Sequence, residues 1–329
     1  MQTPHAVSVL HKSHNDTLYC IENGLHVRDV TIDAGLGEEV CIGHVSDLHF
    51  NYCNTQDREE ADPVVMSTLE NRVWLANGES VPTARRCFAF LHDMDQIVVN
   101  GDTLDYLSHG CMELMQREVW DAHPGIIATM GGHEVLRKMQ GKVEDTLPRK
   151  ERLRMLEEFW PHDPYYISKL VKNKVLVVGL FNDLGSYTAY QEEKLRADLD
   201  LAREKGYAVL LFEHEPIRTM NPVERCVRPE DVLQVGDPSG YPIDYCTGST
   251  GYDRYMAGAD ACDKQTKAVY NLIVNSADVI RGVFAGHRHS HIYTEILGKT
   301  PAGEEKIIPQ FINTASAYQS GHVMRIVVK

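Results

Sequence analysis

No Cys-x-x-Cys pair occurs among the eight cysteines of this 329-residue chain, which stand singly at 20, 41, 53, 87, 111, 226, 246 and 262. That excludes a zinc ribbon and a thioredoxin-type redox pair. Reduced structural thiols are expected, with a disulfide left open among Cys226, Cys246 and Cys262 in one loop-rich region. No window reaches the roughly 20 apolar residues that a bilayer crossing needs, and Met1 to Leu10 has no basic segment leading into an apolar one. A cytoplasmic location without a membrane partner is therefore expected. Basic residues are in deficit: 33 Lys and Arg against 47 Asp and Glu leave a net charge of −14. Nucleic acid, whose backbone is bound by clustered Lys and Arg, is an unlikely main partner on that balance. Repeats, low-complexity tracts and linkers are also absent. The reading is one domain over 1–329 with a loop-rich insertion at about 217–255, whose lack of regular structure and whose Tyr241, Tyr245, Tyr252 and Tyr255 suit a pocket wall.

What is present is a series of short apolar runs that end in polar chemistry. Ile97-Val98-Val99-Asn100 breaks at Gly101 and delivers Asp102 and Asp105, a buried strand opening onto a site at its carboxyl end. A carboxylate has two oxygens and can bridge two cations, so Asp102 is the candidate for the centre of that site. Val40 to Val45 ends in Asp47-x-His49, which could grip one cation if the segment stays extended and its alternate side chains share a side. Gly125 to Met130 ends in Gly131-Gly132-His133-Glu134, Tyr207 to Phe212 in Glu213-His214, and Val279 to Ala285 in Gly286-His287-Arg288-His289. Five buried strands that all end in metal-ligand types are hard to explain by core packing. Between them the spacing predicts helices near Pro63 to Leu75, from Ser80 to Leu91, and over His109 to Trp120, Arg149 to Phe159, Ala189 to Glu204 and Asp263 to Ser276. Residues 6–32 suggest edge strands or a hairpin, and 307–313 and 322–328 closing strands.

From about residue 39 onward this ordered set resembles the calcineurin-like metallophosphoesterase superfamily. The resemblance implies a mixed α/β (α+β) fold, a four-layer αββα sandwich of two mixed β-sheets flanked by helices, with a two-metal site at the sheets' carboxyl edges. It implies one ion on Asp47, His49 and His289, a second on His214 and His287, and Asp102 between them. His133 occupies the family's catalytic-histidine position, and Asp105 matches a carboxylate that orients that histidine in the protein-phosphatase branch. Nitrogen and oxygen donors without sulfur suit two divalent or trivalent ions drawn from Mn, Fe, Zn or Ni. Such ions would activate a water as hydroxide for attack on a small phosphomonoester or phosphodiester.

The chain departs from the family pattern at one position, and two further differences narrow the branch. The family's third motif carries Asn where Gly132 stands, so the second ion loses an oxygen ligand, filled by water, by a neighbour such as Asn182, or not at all. The alternative reading is therefore a non-catalytic or weakly active phosphate-binding protein. Tyr106 and Leu107 replace the Arg-Gly of the Ser/Thr protein phosphatases, and Asp105 replaces the ligating Tyr of the purple acid phosphatases. Arg288, between the motif histidines, is read as structural, and His291 as a neighbour of the site.

Overall fold

Strand formation follows the apolar runs. In this computed structural model, residues 8–12, 17–72, 79–139, 142–182, 186–217, 264–287, 289, 292–313 and 321–329 are described. The first sheet has seven strands in the order β1-β2-β3-β13-β4-β5-β6. These are β1 (Ser8–Lys12), β2 (Thr17–Glu22), β3 (Leu25–Ile32), β4 (Val40–Val45), β5 (Gln96–Asn100), β6 (Ile127–Thr129) and β13 (His322–Val328). The second has six, in the order β11-β12-β10-β9-β8-β7. They are β7 (Tyr166–Val171), β8 (Val175–Leu180), β9 (Ala208–Glu213), β10 (Ile280–Ala285), β11 (Ile292–Lys299) and β12 (Glu305–Ile312). Both sheets are mixed: β4, β5 and β6 run parallel, as do β8, β9, β10 and β12, while β7 and β11 are antiparallel edges. Parallel strands buried on both faces need continuous apolar sequence, and Val175-Leu-Val-Val-Gly-Leu180 and Ala208-Val-Leu-Leu-Phe212 supply it. The Asn23-Gly24 turn, both residues left-handed, closes β2 onto β3.

Three apolar layers show how the sheets stack. One lies between them, built from Val30, Ile42 and Val98 of the first sheet and Leu210, Phe212, Phe284 and Phe311 of the second. The outer side of the first sheet packs on α3 (Ser80–Phe90) and α4 (His109–Met115) through Ala84, Cys87, Phe88 and Met115. The second sheet's outer side packs on α7 (Ala189–Lys205) and α8 (Lys264–Val274) through Leu195, Leu199, Val269 and Ile273. The result is the four-layer αββα sandwich.

The remaining helices are α1 (Thr55–Glu60), α2 (Pro63–Arg72), α5 (Gly132–Val135) and α6 (Arg149–Phe159). The sequence reading missed α1, α5 and β11. It also ran one helix over His109 to Trp120, where the chain leaves α4 at Gln116 for a π-helical turn through Asp121. The loop-rich stretch after Ile217, with its four tyrosines and Cys226, Cys246 and Cys262, lies outside the described residues, as do Arg288 and His291. Among the described residues no helix is long and apolar enough to cross a membrane.

Candidate metal centre

The sheets face each other with the carboxyl ends of β4, β5, β9 and β10 at one edge. Asn100, the last residue of β5, fastens that edge: its Nδ2 donates to Glu213 O on β9 (2.8 Å) and Phe284 O on β10 (3.0 Å), and its Oδ1 accepts from Thr129 of β6 (2.8 Å). Beyond the strand ends the chain turns sharply. Asp47, His49, Asp102, His287 and His289 all have positive φ, between 46° and 69°, as does Gly101 at 76°. The left-handed region is unfavourable for residues with a Cβ. Among the described residues, five of the nine non-glycine ones that adopt it are the expected ligands, so the strain is concentrated at the centre. Extended alternation, the reason the sequence offered for pairing Asp47 with His49, is thus corrected: β4 stops at Val45, and β10 likewise stops at Ala285 before its two histidines. Close approach explains two glycines. A Cβ at Gly101 would meet the His214 ring at 2.5 Å, and one at Gly131 would meet Asp102 N and His214 Cδ2 at 2.7 Å.

These turns gather the side chains into two groups of donor atoms. Asp47, His49 and His289 form one, with His289 Nε2 3.1 Å from Asp47 Oδ1 and 3.2 Å from His49 Nε2. The second holds Asp102, His214 and His287, with His214 Nε2 3.0 Å from Asp102 Oδ2. Asp47 Oδ1 lies 4.0 Å from His214 Nε2, so the groups adjoin. Asp102 falls in the second group alone, and its other oxygen accepts the His133 N–H at 3.0 Å. Except for His287 and the 29%-exposed His289, these residues are buried.

Hydrogen bonds fix which ring nitrogens point inward. His49 Nδ1 faces Asp105 Oδ1 at 3.2 Å and His214 Nδ1 faces Asn100 O at 2.9 Å. A carboxylate or carbonyl only accepts, so each Nδ1 carries the proton and each Nε2 is left for the centre. His133, 18% exposed, donates from Nδ1 to the backbone carbonyl of Asp105 at 2.8 Å and holds Nε2 3.8 Å from Asp102 Oδ2. Asp105 thus reaches His133 chiefly through its backbone, its carboxylate staying 3.6 Å away. That carboxylate is taken up elsewhere, by Arg72 Nε (2.8 Å) and Nη2 (2.5 Å), Asn51 Nδ2 (2.8 Å) and His49. The grouping of His49, Asp105 and His133 thus brings donor atoms together, but the Asp105 oxygens are already bonded to Arg72, Asn51 and His49.

Arg72 and Asn51 were not singled out in the sequence; 33 and 54 positions from Asp105, they leave no short-range pattern to find. Glu134 was quoted without a role. Its buried carboxylate accepts four backbone N–H groups, from Gly131 (2.7 Å), Asp102 (3.1 Å), Thr103 (2.6 Å) and Leu104 (3.0 Å), and so ties α5 to the Asp102 turn.

The electrostatics are those of a carboxylate-rich pocket. Burial opposes ionisation of Asp47 and Asp102, yet the facing histidines hold both below the usual carboxylate range. Burial works against protonation of His133 and His214, but Asp102 overrides it and raises them to about 9 and about 10. Burial and the Asp102 charge push Glu134 up to about 7 against the pull of its N–H donors.

The residues fit two cations. His214 Nε2 is buried at the centre with no hydrogen bond, three donors converge in each group, and all are nitrogen or carboxylate oxygen. Gly132, where an oxygen donor was missed, is the first residue of α5 in helical conformation, outside the positive-φ set. The Asn182 amide is bonded at both ends to the Glu215 backbone (2.7 and 3.0 Å), so its work is to pin the turn after His214.

The profile of a family described as calcineurin-like phosphoesterase matches residues 42–291. No curated protein matches the sequence. Among solved structures, the chain is similar to a dimetal phosphatase from Danio rerio, with 11% identity, 85% of this chain and 88% of that chain covered, and a TM-score of 0.41. It is similar also to a purple acid phosphatase from yellow lupin (Lupinus luteus) seeds, with 10% identity, 95% and 59% covered, and a TM-score of 0.46. A third, the NAD nucleotidase of Haemophilus influenzae, shares 14% identity over 86% and 46% of the two chains, with a TM-score of 0.36.

Proposed function

The chain belongs to the calcineurin-like phosphoesterase family, and from that premise we propose that it is a two-metal hydrolase of small phosphate esters, monoester or diester. The observation that carries the reading is the pair of adjoining donor groups at one sheet edge, with His133 beside them at the more open side. Asp47, His49 and His289 would hold one ion, and Asp102, His214 and His287 the other. When bound, such ions supply Lewis acidity toward a phosphoryl oxygen and toward the attacking water.

The chain's own residues do the rest. The Asp105 carbonyl holds His133 Nδ1, leaving Nε2 to give its proton to the departing oxygen of the ester. Arg72 and Asn51 fix Asp105, which fixes the His49 ring. Mn, Fe, Zn and Ni all suit the donors.

One observation favours the rival, a weakly active phosphate-binding protein: Gly132 gives the second group no oxygen donor from α5. A metal count on purified protein, beside a screen of generic phosphomonoesters and phosphodiesters with each of the four metals, separates the two. The hydrolase reading expects two ions per chain and turnover. Phosphate binding without turnover, under every metal, would establish the rival.

A further inference from the structure

At the end of the sandwich remote from the metal centre lies a cavity of about 310 Å³. It is bounded by Thr31 to Asp33 where β3 finishes, by Ile280 and Arg281 where β10 starts, and by Lys306 to Pro309 on β12, over a floor that includes Phe311. Two features make it more than a surface hollow. Against β9, the register of β10 jumps between Ile280 and Gly282, which leaves Arg281 as the extra residue of a β-bulge. The face pattern agrees. Gly282 sits against Ile32 and Phe284 lies in the layer between the sheets, whereas Ile280, which alternation would place with them, packs in the outer layer beside Val283. A bulge re-aims a side chain, and bulges gather near functional sites.

The second feature is charge without partners. Among the described residues Arg281 forms no ion pair or hydrogen bond, and its Nε is buried and unsatisfied. Lys306, exposed on β12, has no partner among the described residues either. Asp33 is the one carboxylate among the lining residues, and it accepts the Gly35 N–H of its own turn at 3.2 Å. Two cations less one carboxylate leave the cavity one unit positive, in a chain whose net charge is −14. A half-buried guanidinium with an unmet Nε–H is a donor fork waiting for a planar or tetrahedral oxyanion. The volume lies within the roughly 300–1,000 Å³ of small-molecule sites.

We propose that this cavity is a second, metal-independent binding site for a small oxyanion, a carboxylate or a phosphate, held by Arg281 and Lys306. The site is independent of the hydrolase reading and survives that reading's failure.

The test is calorimetric titration of the full chain, stripped of metal with a chelator, using inorganic phosphate in one arm and succinate in the other. Saturable one-to-one binding is expected in at least one arm, and the tighter arm identifies the oxyanion. Arg281→Gln should weaken it about tenfold or more, the scale of a lost charged hydrogen bond, and Arg281→Gln with Lys306→Gln should abolish it. Both side chains are unpaired, so the melting temperature without anion should not move, which separates lost binding from lost folding. No saturation in either arm, or the same affinity in the double variant, would overturn the proposal.

Discussion

Arg72 binds no ion in this arrangement and touches no ester, yet its bidentate grip on Asp105 sets the ring of His49. Arg72→Lys keeps the charge and loses the fork. Metal affinity of the Asp47, His49 and His289 group should fall roughly ten- to hundredfold, with turnover at saturating metal close to that of the parent. Unchanged affinity in a metal titration would reduce Arg72 to core filling. His133 stands at the other extreme. It belongs to neither of the two groups proposed to hold ions, so His133→Ala should keep the metal content and lower turnover roughly a hundredfold or more, as loss of a general acid does. Metal loss, read by elemental analysis of the variant, would mean that His133 is a ligand instead.

α5 is only four residues long, and both ends of its work are visible: its Glu134 gathers four N–H groups, and its His133 N–H caps Asp102. Gly132 opens that helix with no demand for a left-handed backbone. Gly132→Asn should therefore be tolerated and should tighten the Asp102, His214 and His287 group. In the parent, two unequal affinities and a steep dependence of activity on metal are expected, with the weaker site strengthened in the variant. Equal sites in the parent, seen by calorimetry, would show that another donor already serves. How much of this was legible in the sequence depends on the range of the forces involved. The parallel strands were readable because burial on both faces writes itself as unbroken apolar sequence, and the clustering of Asp and His donors because they follow those strands at once. The four residues of α5 are too few for a period to show. The left-handed turns at these Asp and His residues have only a weak signature, since both types are enriched there but far less than Gly, and the Arg72–Asp105 pair is made by tertiary packing alone.

The two sheets are joined at their working edge by polar bonds as well as by apolar packing. Asn100 is buried and reaches three strands. Asn100→Leu, similar in shape, would leave the carbonyls of Glu213 and Phe284 and the Thr129 hydroxyl without that partner. At about 1–3 kcal/mol for each stranded buried group, the urea midpoint should drop sharply and the metal-free protein should lose its paired donor groups. A shift of only a few tenths of a kcal/mol would show that the sheets hold together without it. The left-handed ligands have a consequence for what selection must defend. Judged by backbone conformation alone, glycine is the better residue at each of those positions, so a position whose side chain holds little else in place would gain stability from the exchange. His289, with φ of 46° and its side chain partly in solvent, should show this most cleanly. His289→Gly should raise the melting temperature of the metal-free protein while removing one ion, a trade of function for durability. A lower melting temperature for that variant would mean that the turn is held by more than its backbone.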